Sequence, residues 1–79
     1  MNLTSKQRIV LLALTTEWQT PIQIAKGFPT ASGDFPDVQK VLKDLLRVGL
    51  VQINPVVIGL YRLTPDGITI KELELRENQ

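Results

Sequence analysis

The feature that most constrains the fold is a helical pattern in the middle of the chain. Apolar residues recur there with the spacing of one helical face: Val38, Val41, Leu42, Leu45 and Leu46. Gly49 ends this pattern, and two runs rich in β-forming residues follow it, at 50–54 and 59–63. Residues 54–58 between the two runs would form a short, apolar loop. The sequence therefore predicts an amphipathic helix that leads directly into a β-hairpin.

A first helix is predicted near the start of the chain from the residues that open it. Thr4 and Gln7 have the spacing of a capping box, in which each side chain accepts a hydrogen bond from the other residue's backbone N–H. We expect this helix to run to about Glu17 and to be closed by Trp18. Its apolar residues lie on nearly every side, which predicts cover by more than one neighbouring element or by a second subunit.

A second helix is predicted from an N-cap, a first-turn proline and a capping-box glutamine: Thr20, Pro21 and Gln23. Gly27 supplies its predicted end. Residues 28–33 have the composition of a turn, and the carboxylates of Asp34 and Asp37 follow as caps for the third helix. The order of elements up to this point is helix, helix, turn and helix.

A last helix is predicted after the hairpin, because Thr64 and Pro65 repeat the pattern of a cap followed by proline. We expect it to fray over residues 76–79. The alternation of apolar residues at 68, 70, 73 and 75 also fits a strand, so that interpretation stays open. The predicted fold is thus mainly α with a small β-hairpin, in the order helix-helix-helix-strand-strand-helix, and residues 1–79 form one domain.

Composition excludes several kinds of site. The chain has no cysteine and no histidine, which removes disulfides, thiolate nucleophiles, zinc sites built on those ligands and histidine acid–base chemistry. Asp34 and Asp37 are explained as helix caps, and there is no glycine-rich phosphate loop. We therefore expect no enzyme activity, no metal site and no cofactor.

The most apolar run, residues 9–14, is too short to cross a membrane, which needs about 20 apolar residues. It follows Lys6 and Arg8, as the apolar part of a secretory signal would, but residues 15–18 offer no small-residue cleavage site. We expect a cytoplasmic protein without a membrane partner.

Two stretches resemble the joints of winged helix-turn-helix regulators of the MarR- and PadR-like kind, found in small bacterial or phage proteins. Residues 41–51, VLKDLLRVGLV, are similar to the end of a recognition helix and the start of the wing. Residues 61–67, YRLTPDG, are similar to the return of the wing and the next helix start. The resemblance implies a transcriptional regulator or accessory factor that binds double-stranded DNA as a dimer, with the third helix in the major groove. By position it assigns DNA contacts to Gln39, Lys40, Lys43, Arg47 and Arg62.

The charges of the third helix support a nucleic-acid partner. At about 100° per residue, Lys40, Lys43 and Arg47 fall within roughly 60° of one another, opposite the apolar face. Such a row of cations can neutralise phosphates and release counterions. The alternative is an ordinary solvated face, and the presence of Asp44 favours it.

The loop at residues 55–58 has two interpretations. It packs on the core of its own domain, which is the commoner outcome for apolar residues, or it is a contact surface. A contact surface would continue over the first and last helices as a homodimer seam, or bind a protein partner. The net charge of +1 and the uncharged loop motivate a second function, a winged helix used for protein–protein interaction or as an adaptor without DNA binding.

Overall fold

The computed structural model describes residues 2–28 and 36–77, and within them it has four helices and one antiparallel hairpin. The elements are α1 (Ser5–Ala13), α2 (Pro21–Ala25), α3 (Val38–Arg47), β1 (Val51–Ile53), β2 (Tyr61–Leu63) and α4 (Pro65–Glu77). This order confirms the predicted mainly helical fold with a small hairpin. The alternative of a strand at residues 68–75 is wrong, because these residues lie within α4.

The first two helices begin with the capping boxes predicted for them. The Thr4 hydroxyl accepts from the Gln7 N–H at 3.1 Å, and the Gln7 side chain accepts from the Thr4 N–H at 2.9 Å. Thr20 and Gln23 make the same pair of bonds at 3.2 and 2.9 Å. Both helices therefore start where side chains satisfy backbone N–H groups that have no partner in the helix.

The caps predicted at Asp37 for α3 and at Thr64 for α4 are both present. The Asp37 carboxylate accepts from the Lys40 N–H at 3.3 Å and caps α3, whereas Asp34 lies outside the described residues. The Thr64 hydroxyl accepts from the Gly67 N–H at 3.0 Å at the start of α4. These contacts fix where the two longest helices begin.

The prediction that α1 runs to Glu17 and is closed by Trp18 is wrong, because the helix ends at Ala13. The amine of Lys71 on α4 donates to the Leu14 carbonyl at 2.6 Å, just beyond the helix. Partial burial lowers the pKa of Lys71 below its ordinary value of 10.5, since desolvation disfavours the charged ammonium. A cation at this position also suits the negative end of the α1 dipole.

The residues after α1 pair with the hairpin instead of continuing the helix. Gln19 and Tyr61 exchange two backbone hydrogen bonds, at 2.9 and 2.8 Å, in an antiparallel bridge. The Leu63 N–H donates to the Thr15 carbonyl at 2.9 Å. Strand β2 is therefore bonded on both sides, by β1 and by the segment 15–19, and this tertiary pairing overrides the helical pattern read from the sequence.

Gly49 ends a helix through a left-handed backbone conformation, whereas Gly27 does not. Gly49 has a φ of 82°, and the bonds from Gly49 N–H to Leu46 and from Leu50 N–H to Leu45 make a Schellman motif that ends α3. Gly27 was predicted to end α2 in the same way. That helix ends earlier, at Ala25, and Gly27 does not have a positive φ.

The core lies where the four helices and the hairpin meet. Helix α1 packs against α2, α3 and α4, which confirms that more than one neighbour covers it. The buried apolar residues are Val10, Leu11, Leu14, Ile24, Phe28, Val41, Leu42, Leu45, Leu50, Val51, Tyr61 and Leu63. None of the helices in the described ranges is long and apolar enough to cross a membrane.

Candidate nucleic-acid interface

The outward face of α3 carries the cations singled out in the sequence. Val41, Leu42 and Leu45 are buried, which fixes how the helix is rotated on the core. The opposite face is left to solvent, so Lys40, Lys43 and Arg47 are all exposed. We refer to these three cations as the α3 ridge.

The charge of the α3 ridge is only slightly reduced by neighbouring acids. Arg47 is 77% exposed, and its guanidinium lies 3.2 Å from the Asp44 carboxylate. An exposed pair of this kind is worth about 0–1 kcal/mol, so Arg47 remains free to exchange it for another anion. Within residues 2–28 and 36–77, Lys40 and Lys43 form no ion pair.

A polar side chain lies on one side of the α3 ridge, and a groove lies on the other. Gln39 is exposed on one flank and extends the ridge with an amide that can both donate and accept. On the other flank a groove runs between the starts of α1 and α3, lined by Thr4, Lys6, Gln7, Asp37, Lys40, Val41 and Asp44. Lys6 is a cation that was not identified from the sequence, because no local pattern shows that α1 begins beside α3.

Arg62 lies on a different element and has a partner of its own. It sits in the middle of β2, opposite Gln52 of β1, and is half-buried. Its guanidinium lies over the Trp18 ring, 4.2 Å from the ring centroid. This cation–π contact holds the side chain on the hairpin while leaving the charge in place. The contact was missed because Trp18 was expected to close α1.

The hairpin loop is exposed to solvent and is not part of the core. Val56 and Ile58 are each 86% exposed, and Val57 is 53% exposed. The commoner interpretation, in which this loop packs on its own domain, is therefore wrong.

The acidic side chains are dispersed over the part of the chain that the structure describes. There, no three acidic, cysteine or histidine side chains lie together as a metal site would require. The one buried charged side chain among the described residues is Glu74, which accepts from the Arg8 guanidinium at 2.8 Å. This pair joins α4 to α1.

The α3 ridge can hold a polyanion, and the hairpin presents an exposed, uncharged loop. Comparison with known proteins adds no family to this description. No family model, no curated protein and no solved structure matches the chain. The resemblance to MarR- and PadR-like regulators thus stays a prediction from short motifs.

Proposed function

We propose that this chain is a winged-helix DNA-binding domain, a transcriptional regulator or accessory factor that places α3 in the major groove of double-stranded DNA. One observation carries the proposal. The α3 ridge is exposed along one face of a helix whose opposite face is fixed in the core. A helix held in this way presents its cations to the major groove, which is about 12 Å wide.

Each ridge residue has a distinct part in this proposal. Lys40 and Lys43 neutralise phosphates, and the counterions they release supply affinity that does not depend on sequence. Arg47 and Gln39 have the fork geometry that reads guanine and adenine edges in pairs. Arg62, held by Trp18, contacts the backbone beside the groove from the hairpin.

Fluorescence anisotropy with a generic duplex across a salt series tests this function. The double variant Lys40→Ala/Lys43→Ala should reduce the slope of log affinity against log salt by about 1.8, because each phosphate contact contributes about 0.9. A generic duplex offers Arg47 no particular guanine, so Arg47 pairs there with a phosphate like the two lysines, and adding Arg47→Ala should reduce the slope by about 2 to 3 in total.

The matched control removes two exposed cations elsewhere, in Lys26→Ala/Arg76→Ala. Both double variants lower the net charge from +1 to −1, since two positive charges are lost. The control should keep the wild-type slope. Equal slopes in the two double variants, or no binding by wild type even at ~50 mM salt, would contradict the proposal.

We propose further that the protein acts as a homodimer through α4. Leu75 on this helix is 47% exposed and borders a groove lined by Leu63, Ile68, Thr15, Thr16, Lys71 and Glu72. Sedimentation equilibrium at tens of micromolar should give twice the chain mass of 8.9 kDa. Leu75→Asp should give the monomer, because its carboxylate would have to lose its water when a partner covers that groove. Thr69→Asp, an exposed change on the same helix, should remain dimeric.

The alternative function is a protein-interaction or adaptor module without DNA binding. The exposed loop side chains Val56 and Ile58 favour it, because apolar groups at a surface mark sites of contact. This alternative predicts no salt-dependent binding to any duplex. The anisotropy series therefore distinguishes the two functions directly.

A further inference from the structure

One side of α4 lines a groove that has no part in the proposed contact with DNA. Four residues of this helix border the groove, and they recur at the spacing of one helical face: Ile68, Lys71, Glu72 and Leu75. Thr15, Thr16 and Leu63 form the rest of its lining. We refer to the four helical residues as the α4 stripe. Both ends of the stripe are apolar, and its centre carries one charge of each sign.

The two charges of the α4 stripe lack an ion partner within the described residues. Lys71 and Glu72 take part in neither of the salt bridges found in the ranges 2–28 and 36–77, and adjacent positions on a helix do not face each other. The Lys71 ammonium has three N–H donors, of which one donates to the Leu14 carbonyl at 2.6 Å. Partial burial lowers the pKa of Lys71, because it removes water from the ammonium and no carboxylate replaces that water. A carboxylate from another molecule would therefore meet an unpaired cation in this groove.

The order of residues along the α4 stripe makes it complementary to itself. Two copies of α4 can pack antiparallel about a twofold axis that passes between positions 71 and 72. Lys71 of each copy then lies opposite Glu72 of the other, and Ile68 lies opposite Leu75, so that apolar side chains meet at both ends. A parallel arrangement would instead set equal charges side by side. The stripe therefore favours a second copy of this chain as its partner, in the antiparallel orientation.

We infer that the homodimer is built on an antiparallel pair of α4 helices, with ion pairs between Lys71 of each subunit and Glu72 of the other. This inference rests on the proposed homodimer and adds the residues that select the partner. Covering the groove removes Ile68 and Leu75 from water, which supplies affinity, while the ion pairs fix the register and disfavour other orientations. One face of a single helix buries less than the about 800 Å² per partner of a stable complex, so we expect dissociation in the micromolar range.

Sedimentation equilibrium of charge-reversed variants at tens of micromolar tests this arrangement. Lys71→Glu and Glu72→Lys each set like charges across the axis, and each should raise the dissociation constant at least about tenfold. An equimolar mixture of the two variants should form a heterodimer, because opposite charges then meet at both pairs. Lys71→Glu/Glu72→Lys in one chain should restore the homodimer for the same reason. The matched control Glu77→Lys, an equal change of charge at an exposed position of α4 outside the stripe, should dimerise as wild type does.

The outcomes separate this inference from the homodimer on which it rests. A monomeric wild type overturns both. With a dimeric wild type, single variants that still dimerise, or that stay monomeric when mixed, overturn the inference and leave the homodimer intact. Lys71→Glu also removes the bond to Leu14, so a loss of its circular dichroism signal passes the decision to Glu72→Lys, which changes an exposed side chain. That variant supports the inference if it is monomeric while Glu77→Lys is dimeric, and it overturns the inference if both are dimeric.

Discussion

Replacing Gly67 by alanine is expected to destabilise the protein by more than about 3 kcal/mol, although alanine favours a helix by about 1 kcal/mol over glycine. Gly67 is buried in the first turn of α4, and a Cβ there would collide with the Leu50 carbonyl oxygen. That oxygen accepts from the Thr64 N–H at 3.1 Å, so it cannot move away without losing a hydrogen bond. A domain of this length has only about 4–12 kcal/mol of stability, so the loss would be large.

Urea denaturation followed by circular dichroism measures this effect, and Gly27→Ala is the matched control. The added Cβ at Gly27 would meet the Ala13 Cβ at 3.4 Å, which is an ordinary van der Waals contact. That variant should change the free energy of unfolding by less than about 1 kcal/mol. A Gly67→Ala protein as stable as wild type would show that α4 does not approach the Leu50 backbone as described.

Arg8→Ala is expected to cost about 2 kcal/mol because it leaves the Glu74 carboxylate buried without its partner. The two side chains are bonded at 2.8 Å, and they are 38% and 8% exposed respectively. Loss of a fully buried pair costs about 3–5 kcal/mol, and the partial exposure of Arg8 reduces this. Glu74→Leu should cost less than about 1 kcal/mol, since the remaining Arg8 can turn to solvent.

A double-mutant cycle measured by chemical denaturation tests this asymmetry. Adding Glu74→Leu to Arg8→Ala should recover most of the lost stability, because no unpaired carboxylate remains in the core. Arg47→Ala, which breaks the exposed pair with Asp44, should cost less than about 1 kcal/mol. Additive effects of the Arg8 and Glu74 changes would argue against the bonded pair.

Features set by neighbouring residues in the chain could be predicted from the sequence. The capping boxes at Thr4 and Thr20, the cap at Asp37 and the glycine end at Gly49 all depend on groups within five residues of one another. The hairpin followed from β-forming runs on either side of a short loop. The α3 ridge also followed from local information, because helical periodicity alone separates its apolar face from its charged face.

Features set by distant residues could not be predicted in this way. Helix α1 ends early because β2 and Lys71 bond the residues that follow it, and these partners lie more than forty residues away in the sequence. The Arg8–Glu74 pair, the Arg62–Trp18 contact and the position of Lys6 beside α3 likewise depend on tertiary packing. The exposure of the hairpin loop could not be predicted from the sequence either, since an apolar run fits a buried loop equally well.

The bonding of residues 15–19 to β2 limits which changes the hairpin of this chain can accept. A hairpin that is paired on both sides cannot be exchanged whole, because a new β2 would have to match the backbone register of Gln19 and Thr15 as well as that of β1. The loop beyond Asn54 has no such constraint. Changes of length and chemistry in this loop therefore leave the pairing of residues 15–19 with β2 undisturbed, and with it the junction between α1 and α2.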